Sequence, residues 1–352
     1  MNVIITSYAF VAAVIGAGFA SGQEILAFFT VHGKWGAAAI VLAAAIFGAF
    51  AYFVLDVCRR ESLTDYGVLL RKIMSKRACT AAEVLTVVFM LCSLAVMTAC
   101  FGEMSYMMFG IGKRISEVIF IAVCMLIVCI GADGALKLNG VLGIITASGI
   151  AASALYLLRY REHQVFAPQI TALVSGAGYS GYNLIGAGVI LAPMSKNIKS
   201  KYSAAAAGAV SAAALGVMML LIYAILSIYR KHINLGEIPM LTLAMRENMT
   251  ISYFYFGMLL LAVVTTAVAD GVGISAVVPF GSKYTAAACM GAAALILSGA
   301  GFSTVINTAY RLCGYAGIIM ILYTVIKYKK YEKSRKKKNL KANSRKYSDN
   351  SL

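Results

Sequence analysis

The sequence predicts an all-α integral membrane protein of about ten transmembrane helices, set as two inverted groups of five, with the first and sixth helices broken. Three observations predict it. The composition suits no soluble surface, the chain falls into ten long apolar runs, and a glycine-rich segment at Gly16 is nearly copied 160 residues later, at Gly176.

Of the 352 residues, 61% are hydrophobic and 13% charged, with a mean hydropathy of +0.82. Soluble domains average about 45–50% apolar and about 25% charged, so this chain has too few polar side chains to cover a surface in water. Its formal charge of +17 would suggest nucleic acid if it were evenly spread. Instead, eleven of the 31 Lys and Arg lie in residues 327–352, and most others fill gaps between apolar runs. The expected macromolecular surroundings are therefore membrane lipid, with no nucleic acid. The eight cysteines form no C-x-x-C pair and read as small buried hydrophobes. The three histidines fall between runs and outline no zinc site. No zinc-protease motif, nucleotide-binding loop or serine elbow is present, so an enzyme is not expected. Without an ATP-binding domain, any pumping draws on an ion gradient. No cofactor is expected beyond Na⁺ or H⁺ as the coupling ion.

A helix needs about 20 apolar residues to cross hydrocarbon. That ruler gives spans near 3–30, 35–57, 81–109, 116–132, 138–158, 168–194, 203–228, 252–280, 284–299 and 302–326. They are too long and too continuously apolar for barrel strands, leaving helices to satisfy the backbone in lipid. Met1-Asn2 carries no Lys or Arg, which argues against a signal peptide and for a first span. Lys and Arg number eleven in one set of loops and eight in the other, and the tail adds eleven to the richer set. Both termini are therefore expected in the cytoplasm. Residues 1–326 form the expected membrane domain, with repeats at about 1–161 and 165–326. Residues 327–352 read as a disordered basic tail drawn to anionic lipid. Short helices are expected within 59–77, on the membrane surface, and within 237–247.

The repeated segments are Gly16-Ala17-Gly18-Phe19-Ala20-Ser21-Gly22 and Gly176-Ala177-Gly178-Tyr179-Ser180-Gly181. With five spans in each half, the second half enters from the opposite face, which makes the repeat inverted. Glycine inside a helix costs up to about 1 kcal/mol relative to alanine, so three in one window make it easy to unwind. Unwound backbone at membrane depth must be buried in protein or line a wet cavity. There its carbonyls can hold a cation and its helix ends a carboxylate. Plain close packing of small residues is the alternative for such segments.

The run Val14-Ile15-Gly16-Ala17-Gly18-Phe19-Ala20-Ser21-Gly22-Gln23-Glu24-Ile25-Leu26 resembles the YkvI-type bacterial membrane proteins. Those are members of the amino acid–polyamine–organocation superfamily with the LeuT-type 5+5 fold. The resemblance covers the chain to about residue 326. It implies an ion-coupled secondary transporter (a symporter) of an amino acid or similar small solute, in the bacterial plasma membrane, without naming the cargo. It places substrate against Ala17, Gly18, Phe19, Ser21 and Gly22, and against Ser175, Gly176, Tyr179, Ser180 and Asn183. It places a sodium ion between the carbonyls of Ala12 and Ile15 and the hydroxyls of Thr265 and Thr266. No second, substrate-linked sodium site is evident, so proton coupling stays open. A channel or substrate sensor on the same scaffold is the alternative reading.

Ionisable residues within spans are costly and mark functional sites. Glu24 and Arg311 are expected in the same half of the membrane, as an ion pair closing a vestibule. Glu103 and Asp270 occupy the third span of each half and read as proton candidates. Asp270, one turn after Thr266, can also lend charge to a bound cation.

Overall fold

The computed structural model describes residues 2–130, 149, 170–229, 234–278 and 281–349, with side chains as far as 335. The expected fifth span, 138–158, lies outside the described residues, as does the loop around His163.

The first span is broken twice, and its glycines say why. Helix α1 (Asn2–Val14) stops where the Gly16 N–H, the usual partner of the Ala12 carbonyl, turns back to Val14 O at 3.0 Å. Gly16 is extended, and a single turn, α2 (Ala17–Ala20), follows. The chain then passes through Gly22 at φ +79°, a left-handed conformation natural to glycine, into α3 (Gln23–Phe28). Ser21 steadies this corner by donating to Gly18 O at 2.8 Å and accepting from the Gln23 N–H at 3.2 Å.

Long helices make up most of the rest. They are α4 (Trp35–Glu61), the short α5 (Tyr66–Ile73), α6 (Lys76–Phe109), α7 (Lys113–Ile130), α8 (Thr171–Met194) and α9 (Lys201–Tyr229). After them come the short α10 (Pro239–Glu247), then α11 (Met249–Val277) and α12 (Lys283–Ser298). The last span opens with α13 (Phe302–Val305), loosens into a π-turn at Ile306–Tyr310 and continues as α14 (Arg311–Asp349). Five of these stretches are long and apolar enough to cross a membrane alone: Trp35–Glu61, Lys76–Phe109, Lys201–Tyr229, Met249–Val277 and Phe302–Arg335. The expected short helices appear as α5 and α10.

Two packed groups emerge. Helices α1, α4, α8 and α9 form one, with α14 lying along α8; α6, α7, α11 and α12 form the other. The broken part of the first span, α2 and α3, lies between them, touching α8 and α9 on one side and α6 and α11 on the other. Within the first group α4 and α9 run antiparallel. A Cβ on Gly48 would come within 3.1 Å of Gly208 O, and one on Gly216 within 3.2 Å of the Ala44 Cβ. The outward faces are apolar: Ile130 and Ile296 are 77% and 78% exposed, a disposition suited to hydrocarbon rather than water. A groove of about 400 Å³ between α7 and α12, lined by Ile121, Met125 and Gly291 among others, belongs to this lipid-facing surface and is almost wholly apolar.

Two expectations need correction. The sixth span, α8, is not broken; it runs as continuous α-helix from Thr171 to Met194. Its glycines serve close approach instead. A Cβ on Gly176 would lie 2.6 Å from the Ala39 carbonyl, one on Gly178 would lie 3.1 Å from the Tyr315 ring, and one on Gly181 would collide with Gly314 O. These contacts draw α4 and α14 onto α8, as small residues do between membrane helices. The tail, expected to be disordered from residue 327, continues α14. Tyr328 is buried, and Glu332 and Arg335 pair with Arg60 and Glu61 at the end of α4.

Candidate functional site

The break in the first span is enclosed by its neighbours. From α10, the Met240 N–H donates to Ser21 O at 3.0 Å, and the Met240 side chain occupies the space a Cβ on Gly22 would need. From α11, the Tyr255 hydroxyl donates to Ala20 O. From α8, Ser175 donates to Phe28 O at 2.8 Å. Each bond takes up a carbonyl of the first span from outside its own helix, the requirement for irregular backbone at membrane depth. Ala17, Gly18, Phe19, Ser21 and Gly22 are all buried.

Beside the break lies a cluster of buried polar groups. Glu24 is 5% exposed, and its carboxyl lies flat on Gly18, where any Cβ would collide with it. It faces the hydroxyls of Tyr179 and Tyr182 on α8. Oε2 of Glu24 and both hydroxyls are buried here. Aromatic rings close the cluster. Tyr182 lies 4.8 Å from Tyr310 and 5.4 Å from Tyr179, and Phe28 lies 5.6 Å from each of Tyr179 and Tyr182. The π-turn delivers Tyr310 and Arg311 to this place. There Asn307 and Thr308 bond back to Ser303 O and Thr304 O at 2.9 and 2.7 Å, a habit that loosens a helical ladder.

The remaining expected residues divide. On α8, Tyr179 enters the cluster, but Gly176 and Ser180 face α4, the Ser180 hydroxyl bonding Gly176 O at 3.1 Å. Asn183 spends its amide on Tyr179 O at 2.9 Å. Of the expected sodium ligands, Ala12 loses its usual backbone donor, Ile15 is buried at the break, and Thr266 faces Gly16. Thr265 does not join them, because its hydroxyl bonds Leu261 O in its own helix at 2.8 Å. Asp270 is buried beside Ser93, with Oδ2 unpartnered. Glu103 is no buried proton carrier; it pairs with Lys113 at the α6–α7 corner. Glu24 and Arg311 form no ion pair. Arg311 instead donates to Ala27 O at 2.8 Å and stacks over Phe28 at 5.6 Å. Sequence reasoning missed Tyr182, Tyr310, Ser93, Tyr255 and Met240. Tyr182 carried a signal, standing one helical turn after Tyr179; the others come from spans and a loop that only the fold brings near.

No family model matches the chain. It is 23% identical over 324 residues to the uncharacterized membrane protein YkvI of Bacillus subtilis (strain 168), covering 90% of this chain and 93% of that one. Among solved structures, a Na⁺-coupled sialic acid symporter in a substrate-bound, outward-open state superposes with a TM-score of 0.60, at 13% identity over 91% of this chain and 78% of the other. A manganese transporter of Eremococcus coleocola gives 0.58, at 14% identity over 91% and 77%. Inward-facing Mhp1 gives 0.53, at 15% over 93% and 72%. The chain is an all-α membrane protein with the LeuT-like fold that these transporters share.

Proposed function

We propose that the chain is an ion-coupled secondary transporter, a symporter that moves an amino acid or similar small organic solute by alternating access around the broken first span. The observation that carries this reading is the break itself. An unwound segment sits between the two helix groups, beside a cluster of buried oxygens from Glu24, Tyr179 and Tyr182. Binding by such a segment is how transporters of this architecture hold solutes near the middle of the membrane. Here α8 contributes a rigid wall of tyrosines in place of a second unwound segment.

The coupling ion has a reasonable place at the released Ala12 carbonyl, Ile15 and Thr266, all oxygen ligands suited to a hard cation. Asp270, a turn further along α11, supplies charge or carries a proton. The proposed setting is the bacterial plasma membrane, with both termini on the cytoplasmic side.

Reconstituted protein tests the reading. Vesicles are loaded with unlabelled amino acids and given labelled ones outside, with a Na⁺ gradient, a pH gradient or neither. Uptake above empty vesicles, raised by one gradient and lost in Gly18→Leu, is expected. Thr266→Val should remove the Na⁺ dependence. Ion current without solute uptake would replace the transporter with a channel.

A further inference from the structure

The outward face of α14 changes character along its length. Within the span its exposed positions are Leu312, Tyr315, Ile319, Leu322 and Ile326, each 40% to 71% exposed. They stand three or four residues apart, the spacing of a single stripe along a helix. The same spacing carries on to Lys329, Lys330 and Lys333, all exposed. The stripe that faces hydrocarbon thus turns to lysine within one helical turn of Ile326. Tyr323 stands just before the change, with the Lys327 ammonium 5.1 Å over its ring, as tyrosines do where hydrocarbon meets headgroups.

The protein itself occupies the opposite face of these turns. Tyr328 is buried, with the Arg60 guanidinium over its ring, and Tyr331 lies under the Lys72 ammonium at 5.6 Å. Glu332 and Arg335 pair with Arg60 and Glu61. Glu332 is the only acid between residues 327 and 335, and it is turned toward α4. The outer stripe therefore holds lysine alone. Lys333 follows Lys330 and Lys329 by three and four positions, where like charges on a helix repel.

We propose that Lys329, Lys330 and Lys333 dock α14 on the anionic phospholipid headgroups of the adjoining leaflet, and that this contact holds the helix as a strap over α4 and α5. Continuity with the hydrocarbon-facing stripe selects the partner. These lysines follow the last apolar turn directly, at the depth where the bilayer's phosphates begin, and basic residues there are drawn to anionic lipid. The phosphates relieve the repulsion along the stripe and leave the other face seated on Arg60, Glu61 and Lys72. Three placed lysines make this contact, rather than the charge of the tail as a whole. The inference goes beyond the transporter reading and stands whether or not the chain moves a solute.

The full-length protein in detergent is titrated with phosphatidylglycerol or phosphatidylcholine while its melting is followed. Phosphatidylglycerol should stabilise it more, and added salt should shrink the difference. The triple variant Lys329→Gln, Lys330→Gln, Lys333→Gln should bind phosphatidylglycerol more weakly by about fivefold for each lysine removed. A second triple variant, Lys196→Gln, Lys199→Gln, Lys201→Gln, removes the same charge between α8 and α9 and should keep most of the preference. Hydrogen exchange in vesicles of each lipid reads the strap. Residues 323–335 and α5 should exchange more slowly with phosphatidylglycerol, and the α14 triple variant should lose that slowing. Melting in phosphatidylcholine shows whether each variant folds; if the α14 triple variant does not, Lys333→Gln alone reads one fivefold step. A folded α14 variant that keeps the wild-type lipid preference would overturn the assignment. Equal losses in both triple variants would reduce the effect to net charge and overturn it too. So would equal stabilisation by inorganic phosphate, which needs no leaflet, or stronger stabilisation by an RNA oligonucleotide, which would give the stripe to nucleic acid.

Discussion

At the scale of single residues, Gly18 has the sharpest role, because the Glu24 carboxyl occupies the space a methyl group would take. Gly18→Ala should displace that carboxyl and lower uptake strongly. Overpacking of this kind costs about 1–3 kcal/mol, so the protein should still fold with a modestly lower melting temperature. Transport and melting measured on one preparation check the split; equal loss in both would make Gly18 a folding residue alone. The sequence pointed to Gly18, Ser21 and Gly22 because three glycines within seven residues make a helix easy to unwind. It pointed to Glu24 because a carboxylate in a span is conspicuous. It could not show where Arg311 turns, since the choice between Glu24 and the Ala27 carbonyl depends on the π-turn, and no periodicity announces one.

At the scale of elements, α8 teaches the most. Glycine-rich segments in the first span and in α8 look alike in sequence and behave differently: side chains of Glu24 and Met240 lie against Gly18 and Gly22, whereas backbone of α4 and α14 lies against Gly176 and Gly181. On α8, Ala39 and Gly314 press from two sides, and the helix stays whole. Gly181→Leu should therefore push α14 from α8 and lower stability by about 3 kcal/mol or more, beyond the usual overpacking range, because the obstacle is backbone that cannot rotate aside. Gly186→Leu, where nothing lies within 4 Å of the added Cβ, is the control and should melt close to the wild type. Thermal unfolding in detergent compares them. Span positions were readable from hydropathy, whereas the difference between a hinge and a packing seam was not, because it belongs to the partner helices.

At the scale of the molecule, ion pairs fasten the end that carries α5. Asp56 binds Arg59 and Arg60 at 2.6 and 2.9 Å, and Arg60 binds Glu332 at 3.0 Å. Glu61 binds both Lys72 and Arg335 at 2.6 Å, joining α4, α5 and α14. Glu61→Gln should loosen all three, costing about 1 kcal/mol given the exposure of its partners, and should speed tryptic cleavage beyond Lys327. The hydrogen bond to Glu61 raises the Lys72 pKa above its ordinary value. The stability from that charge is therefore full below the usual lysine pKa of about 10.4 and lost as pH rises through the higher folded value. Tryptic protection should accordingly stay level from pH 7 to pH 9. Charge counting had read this tail as free because it weighs Lys and Arg by number, and the few acids that anchor it, Glu61 and Glu332, vanish in the sum. The crossing of α4 and α9 carries one more consequence. Gly48 and Gly208, which meet there, are separated by the same 160 residues as Gly16 and Gly176, so each residue touches its own counterpart. In a two-fold dimer, a residue on the axis meets its copy in just this way. The seam is therefore laid out as the axis contact between two half-length copies would be, although both sides of it belong to one chain.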